Sequence, residues 1–293
     1  MATLRGFDLL TTEDSMIDAA WGSRTSPMAV APSFLASIDQ ITIDRLLEER
    51  SLRPPYVSFA REGRQLPDHE VTIGGTPSAA GHSGLLDRAK ARSLVADGAT
   101  VMFYQAHHWI DSLGTIAERI SSALRARCGA TVFHTPADSP GLAWHRDAQH
   151  VFAVQLAGAK EWRVERNAPS GWWSSGALVE GPGTDVGHVI LRCGEALYMP
   201  PGVAHTARAT DEPSTHVSFV VEEPETKDLL LAMFERAAQG VRTRLAAGPV
   251  AERSARAATI AREFVSAVRE LDTGEVLRMV EEDAMETGWP PSR

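Results

Sequence analysis

The spacing of apolar residues changes twice along this chain, and each change limits what it can fold into. From Asp111 to Cys128, the residues Leu113, Ile116, Ile120 and Leu124 recur at three- and four-residue intervals, which predicts a helix closed by Gly129. The period then shortens. TVFHT, HVFAVQLA, EWRVE, HVILR, ALYMP and THVSFVV are short β-branched or aromatic runs separated by Gly, Pro, Asp and Ser, the pattern of an antiparallel sandwich or barrel. Beyond Pro224 the strand pattern stops, and 226–246, 250–271 and 274–287 read as helices whose apolar faces need a partner surface. The fold class is mainly β with flanking helices.

Upstream, Pro27 and Pro32 among small residues make 1–32 an extended lead-in to a domain spanning 33–223, with 224–293 as a helical tail. IDQITIDRLLEER predicts a short helix with Ile41, Leu46 and Leu47 on one face, Asp39 or Thr42 as its cap, and Pro54-Pro55 beyond it. Residues 62–83, rich in Gly, Pro, Ser and His, read as loop. No repeat of 20 to 50 residues points to a solenoid or propeller.

Composition narrows the function classes. A chain of 293 residues, 43% hydrophobic and 23% charged, is neither disordered nor fibrous. No apolar run reaches the roughly 18 to 20 residues of a membrane helix. The opening MATLRGFDLLTTEDSM carries acids where a signal peptide needs a basic flank and an apolar core, so a cytoplasmic protein is expected. A net charge of −9 opposes general nucleic-acid binding. The arginines at 242, 244, 253, 256, 262 and 269 read as a solvated helix face. Cys128 and Cys193 fit neither a disulfide framework nor a CxxC pair and are expected to be buried.

The chemistry concentrates in WHRDAQH. Residues i and i+2 of a strand share a face, so the His145 imidazole and the Asp147 carboxylate can converge on one cation. GEALYMPPGVAHTA then places His205 at the end of a second strand, after a Pro-Pro-Gly corner. Two imidazoles and one carboxylate are the facial triad of non-haem Fe(II) oxygenases, which leaves positions open for a bidentate cosubstrate and dioxygen. His145, Asp147 and His205 are the assigned ligands. His150, His188 and His216 compete, and His216 on THVSFVV lies within reach, but none is paired with a carboxylate at strand spacing.

Lys160, in the hairpin HVFAVQLAGAKEWRVE, is flanked by apolar residues that would bury its stem. A buried ammonium needs a counter-ion, which the distal carboxylate of 2-oxoglutarate would supply; the alternative is a hairpin lysine facing solvent. Arg146, between two ligands, should point away from the metal and meet an acid, while Trp144 reads as core or pocket wall.

DGATVMFYQAHHWI, TVFHTPADSPGLAWHRDAQHVFAVQLAGAKEWRV and CGEALYMPPGVAHTARATDEPSTHVSFVV, within 98–223, resemble the JmjC-type 2-oxoglutarate oxygenases, and within them the ribosomal-oxygenase-like, cupin-type protein hydroxylases. The resemblance implies a double-stranded β-helix (jelly roll). It makes His145, Asp147 and His205 iron ligands, Lys160 the cosubstrate carboxylate's partner, and Ser214 or Thr215 a hydroxyl near that cosubstrate. Thr131-Val132-Phe133 stands where relatives often read Asn-x-Tyr, so Phe133 lines this wall without an amide or phenol beside it. Fe(II), 2-oxoglutarate and O2 are the implied cofactors. The tail has room for a helical dimerisation region but hardly for a winged helix, so a homodimer through these helices is expected.

The implied reaction is hydroxylation of a side chain in a protein or peptide. The same chemistry on a free amino acid or natural-product intermediate, demethylation through an N-methyl carbon, and a non-catalytic cupin-like binding protein are the alternatives. The loop 167–183, with adjacent Trp172 and Trp173, reads either as part of a substrate lid or as cover for the barrel mouth.

Overall fold

A computed structural model describes residues 19–49, 51–73, 84–170, 177–179, 181–245 and 247–286. The chain divides into two compact units. One holds the described residues up to Leu124 together with those from Cys128 to Glu222, and the other holds Arg125–Arg127 with the described residues from Glu223 to Glu286. The loop carrying Trp172 and Trp173 lies outside the described residues.

The first unit is built on two antiparallel sheets. The larger, eight-stranded among the described residues, runs β1 (Ser26–Ala29), β11 (Glu195–Met199), β7 (His150–Ala157), β13 (Ser214–Glu222), β5 (Arg127–Thr135), β4 (Thr100–Phe103), β2 (Val57–Arg61) and β3 (Arg64–Gln65). The smaller, five-stranded one runs β10 (Val186–Arg192), β8 (Ala159–Glu165), β12 (Ala204–Ala209), β6 (His145–Arg146) and β9 (Ala177–Leu178). From β5 to β8 and again from β10 to β13 consecutive strands alternate between the sheets, which is the double-stranded β-helix the resemblance implied. Val151 and Ala153 of β7 and Leu197 and Met199 of β11 share one core with Trp162 and Val164 of β8 and Leu191 of β10. Each large side chain buried there contributes about 1.5–3 kcal/mol.

The lead-in is less detached than its composition suggested. Ser26–Ala29 is the edge strand of the larger sheet, where Pro27 is tolerated, and a helix starts at Pro32 and runs to Ile38. The expected helix after it is the shorter Ile43–Leu47, and Thr42 caps it by accepting from the Arg45 N–H. The loop expected over 62–83 includes β3 and a 3-10 turn at Asp68–Glu70. The helix Asp111–Leu124 buries Leu113, Ile116 and Ile120 but stops before Cys128: Arg125 turns left-handed (φ 51°), and Cys128 and Gly129 enter β5. Cys128 is buried, whereas Cys193, expected inside, is exposed in the β10–β11 turn.

Two corners matter for the site. Pro200-Pro201-Gly202 carries the chain from β11 in one sheet to β12 in the other, so His205 is the second residue of its own strand rather than the end of ALYMP. Gly158 turns β7 into β8 at φ 64°, and a Cβ there would sit 2.0 Å from the Pro213 carbonyl oxygen, so only glycine fits.

In the second unit, helices Thr226–Ala238, Val250–Arg269 and Thr273–Glu286 bury Ala237, Val276, Val280 and Ala284, and Phe234 packs against Phe264 at 5.2 Å. The six arginines of 242–269 are all exposed. Among the described residues no helix is long and apolar enough to cross a membrane.

Candidate metal centre and cosubstrate pocket

His145 and His205 are 60 positions apart in sequence yet are direct cross-strand partners of β6 and β12. Opposite residues of an antiparallel pair place their side chains about 4.5–5.5 Å apart at Cβ, and here the two rings lie 4.2 Å apart between centroids. Asp147 follows β6, and its Oδ2 is 3.9 Å from His145 Nε2 and 3.7 Å from His205 Nε2. One donor atom from each of the three lies within 4.8 Å of the others.

Hydrogen bonds decide which nitrogens face the cation. His145 Nδ1–H donates to the Ala143 carbonyl at 2.8 Å and His205 Nδ1–H to the Val203 carbonyl at 3.0 Å, leaving both Nε2 lone pairs free. Burial and the neighbouring His145 lower the His205 pKa to about 4, so the ring is neutral, as a ligand must be. Two imidazole nitrogens and a carboxylate suit a divalent first-row metal. The donor set fits Fe(II).

Arg146 does not line the cavity beside the three candidate ligands and pairs with Glu165 of β8 at 2.6 and 3.0 Å. Glu165 also accepts the Ala204 N–H at 3.1 Å and the Gly183 N–H at 2.7 Å. Burial would raise its pKa, but these hydrogen bonds and the guanidinium outweigh it and hold the carboxyl below its ordinary value.

Next to the three ligands lies a cavity of about 350 Å³. Its apolar wall includes Phe133, Leu142, Val151, Trp162 and Met199, and Lys160 reaches into it. Lys160 is 2% exposed, which removes the solvent-facing alternative. Its Nζ donates to Thr135 Oγ1 at 2.9 Å and lies 3.4 Å from His216 Nδ1, and among the described residues no carboxylate bonds or pairs with it. Burial lowers its pKa to about 7 and, with the adjacent ammonium, keeps His216 well below the ordinary imidazole range. Phe133 lies flat on the His216 ring at 4.7 Å. Tyr104 also lines the cavity; burial and the Asp147 charge push its phenol up to about 12, so the proton stays on.

Ser214 and Thr215 are not on this wall. The Ser214 hydroxyl accepts from Gln155 Nε2 at 2.8 Å, and Thr215 Oγ1 pairs with His134 Nδ1 at 2.9 Å. Thr215 pairs with Ala157 and His216 with Gln155, so the extra residue of this irregularity, Leu156, lies on β7; His216, Ser218 and Val220 line the cavity and Ser214 does not. Besides Tyr104, the hydroxyl residues that line the cavity are Thr131 and Ser218, and Thr135 adjoins it as the partner of Lys160 Nζ. Strand alternation from Phe133 on β5 and from His216 on β13 points to each of them. Trp144, read as core or pocket wall, is only half buried, with the Arg163 guanidinium 5.5 Å from its ring. His150 bonds the Tyr198 hydroxyl and His188 pairs with Glu161 at the surface, so neither competes for the metal.

Residues 103–229 match the JmjC domain family. Mouse ribosomal oxygenase 2 is 34% identical over 110 residues, 37% of this chain and 24% of the relative. The Drosophila yakuba bifunctional lysine-specific demethylase and histidyl-hydroxylase NO66 is 27% identical over 139 residues, 45% of this chain and 20% of the relative. The chain thus spans about a quarter or less of the length of these relatives. The Escherichia coli ribosomal oxygenase YcfD, solved with cobalt and 2-oxoglutarate, shares the fold with a TM-score of 0.58 at 16% identity, over 94% of this chain and 71% of that one. JmjC oxygenases use Fe(II), 2-oxoglutarate and O2, and the stretch of this chain that matches the JmjC domain model, residues 103–229, is under half of its length and includes His145, Asp147, Lys160 and His205.

Proposed function

We propose that this protein is an Fe(II)- and 2-oxoglutarate-dependent oxygenase that hydroxylates a side chain of a protein or peptide. The observation that carries the reading is the pairing of two sites in one cavity: three convergent ligand atoms, and a buried ammonium bonded to a hydroxyl and an imidazole. His145, Asp147 and His205 would hold the metal, whose chemistry with 2-oxoglutarate and O2 yields succinate, CO2 and a hydroxylated carbon.

The chain's own residues do the rest. Lys160 binds the distal carboxylate of 2-oxoglutarate and fixes its orientation. Leu142, Val151, Trp162 and Met199 keep water from the reacting carbon. Tyr104 retains its proton, which points to Met102 Sδ at 3.5 Å, and adds a neutral hydroxyl to the cavity wall. The names of the relatives, ribosomal oxygenase and histidyl-hydroxylase, favour a protein substrate over a free amino acid.

The test is succinate formation by the purified protein with Fe(II), ascorbate, 2-oxoglutarate and either tryptic ribosomal peptides or free amino acids. Stimulation by the peptides, with a 16 Da gain on one of them, supports the reading. Stimulation by free amino acids alone moves the substrate class. Metal and 2-oxoglutarate binding with no succinate under any condition leaves a binding protein.

On the second unit, Leu230, Leu231 and Phe234 stand 58–59% exposed along the helix Thr226–Ala238. This apolar face suits a homodimer contact.

A further inference from the structure

We propose that His107 and Gln149 form the subsite that selects the substrate side chain, and that the group they select is neutral and carries both a donor and an acceptor, as a carboxamide or an imidazole does. The inference rests on the peptide-oxygenase reading above.

His107 lines the cavity on a single 3-10 turn, Ala106–His108. The turn is built into the fold rather than draped over it. The chain enters it at Gln105 in a left-handed conformation (φ 49°) unusual for a residue with a side chain. A Cβ at Gly114 would sit 2.8 Å from the His107 carbonyl oxygen, so the helix beneath needs glycine there for the turn to seat. His107 Nδ1 accepts the Ala130 backbone N–H at 3.1 Å. That bond requires the other tautomer, with the proton on Nε2, and burial together with neighbouring His108 keeps the ring neutral, its pKa lowered to about 4. Nε2–H has no hydrogen-bond partner among the described residues. His107 is therefore a fixed neutral donor.

Gln149 supplies the complement. It lies two positions beyond Asp147 and lines the same cavity, and its Oε1 is shut from solvent with no hydrogen bond. Buried acceptors without donors are rare in folded proteins, so this one needs a partner that the chain itself does not provide. An N–H on the incoming group satisfies Gln149 Oε1 while that group's lone pair accepts from His107 Nε2–H. A cationic side chain has no counter-ion here: among the described lining residues the one carboxylate is Asp147, already committed to the metal. Burying an unpaired ammonium or guanidinium is strongly unfavourable.

The test uses full-length protein loaded with Mn(II) and 2-oxoglutarate under argon, so that nothing turns over. Degenerate peptide pools with the central residue fixed as Asn, Gln, His, Leu, Lys or Arg are passed over it, and retention is read by mass spectrometry. We expect an Asn, Gln or His pool to be held about tenfold more than Leu, Lys or Arg, and Gln149→Leu to erase that preference. His107→Gln, which keeps an acceptor for Ala130 and a donor for the ligand, should retain it, whereas His107→Leu should lose it. Binding of 2-oxoglutarate to each variant reports that the pocket has folded. Asn or Gln ahead of His assigns a carboxamide, and His ahead assigns an imidazole; either supports the subsite. Lys, Arg or Leu pools held as well as the neutral polar ones, or a preference that survives Gln149→Leu, overturn the subsite and leave the peptide reading standing. No pool retained, with 2-oxoglutarate still bound, overturns both.

Discussion

Arg146 and Glu165 form a two-pronged ion pair, at 2.6 and 3.0 Å, directly behind the metal ligands. Arg146 sits between His145 and Asp147 in sequence, and Glu165 also takes the N–H of Ala204, the residue before His205. The pair thus ties all three ligands to β8. Both side chains are about nine-tenths buried. Removing one partner strands a charge, so Glu165→Leu should cost about 3–5 kcal/mol in stability. Because these contacts orient the ligands, metal affinity should fall about 10–100-fold in any variant that still folds. Thermal unfolding and Mn(II) titration measure the two effects, and an unchanged metal affinity would reduce the pair to a structural one.

His145→Ala and Asp147→Ala should each abolish 2-oxoglutarate turnover while leaving the sheets intact, since both side chains line the cavity and neither belongs to the apolar cluster that joins the sheets. Wild-type succinate rates in either, with a native circular dichroism spectrum, would end the ligand assignment.

Lys160 predicts how cosubstrate binding depends on pH. Burial lowers its pKa to about 7, and the neighbouring His216 and His134 stay neutral in this range. A bound carboxylate favours the ammonium and so raises that pKa. Affinity for 2-oxoglutarate is therefore highest below pH 7 and falls as the pH rises through and above it, approaching about tenfold per unit for one proton taken up. Lys160→Met should bind more than about tenfold more weakly and lose this slope. Calorimetry at pH 6.5, 7.5 and 8.5 on the Mn(II) form tests both, and equal slopes in the two proteins would move the carboxylate's partner elsewhere.

Gly158→Ala should destabilise the protein by at least about 2 kcal/mol. The substitution pairs a positive φ with a 2.0 Å approach to the Pro213 carbonyl, and the strain falls in the hairpin that delivers Lys160. A melting temperature within 1 °C of wild type would refute it.

Light scattering at micromolar concentration should report a dimer, and Leu231→Asp on the exposed helix face should yield a monomer with its catalytic unit intact. A wild-type monomer would leave those side chains without this role.

What could be read from the sequence follows physical range. Strand periodicity marked β7, β8, β10, β11 and β13 because alternation is a property of a few consecutive residues. The HxD spacing marked His145 and Asp147 for the same reason. The strand β12 was hidden behind Pro200-Pro201-Gly202, since a corner between sheets has no local signal beyond the turn itself. The end of the helix at Leu124 was misplaced because a left-handed Arg125 outweighed the expected glycine stop.

By itself the sequence determined the order of periods, helical then extended then helical, and three side chains able to bind one metal, because these depend on neighbours two to four positions apart. Only the tertiary structure decided that His145 and His205 would face each other across two strands, that Lys160 would lose its solvent, and that Ser218 but not Ser214 would line the cavity. Those outcomes depend on register and on which surfaces exclude water, and both arise from contacts between segments far apart in the chain.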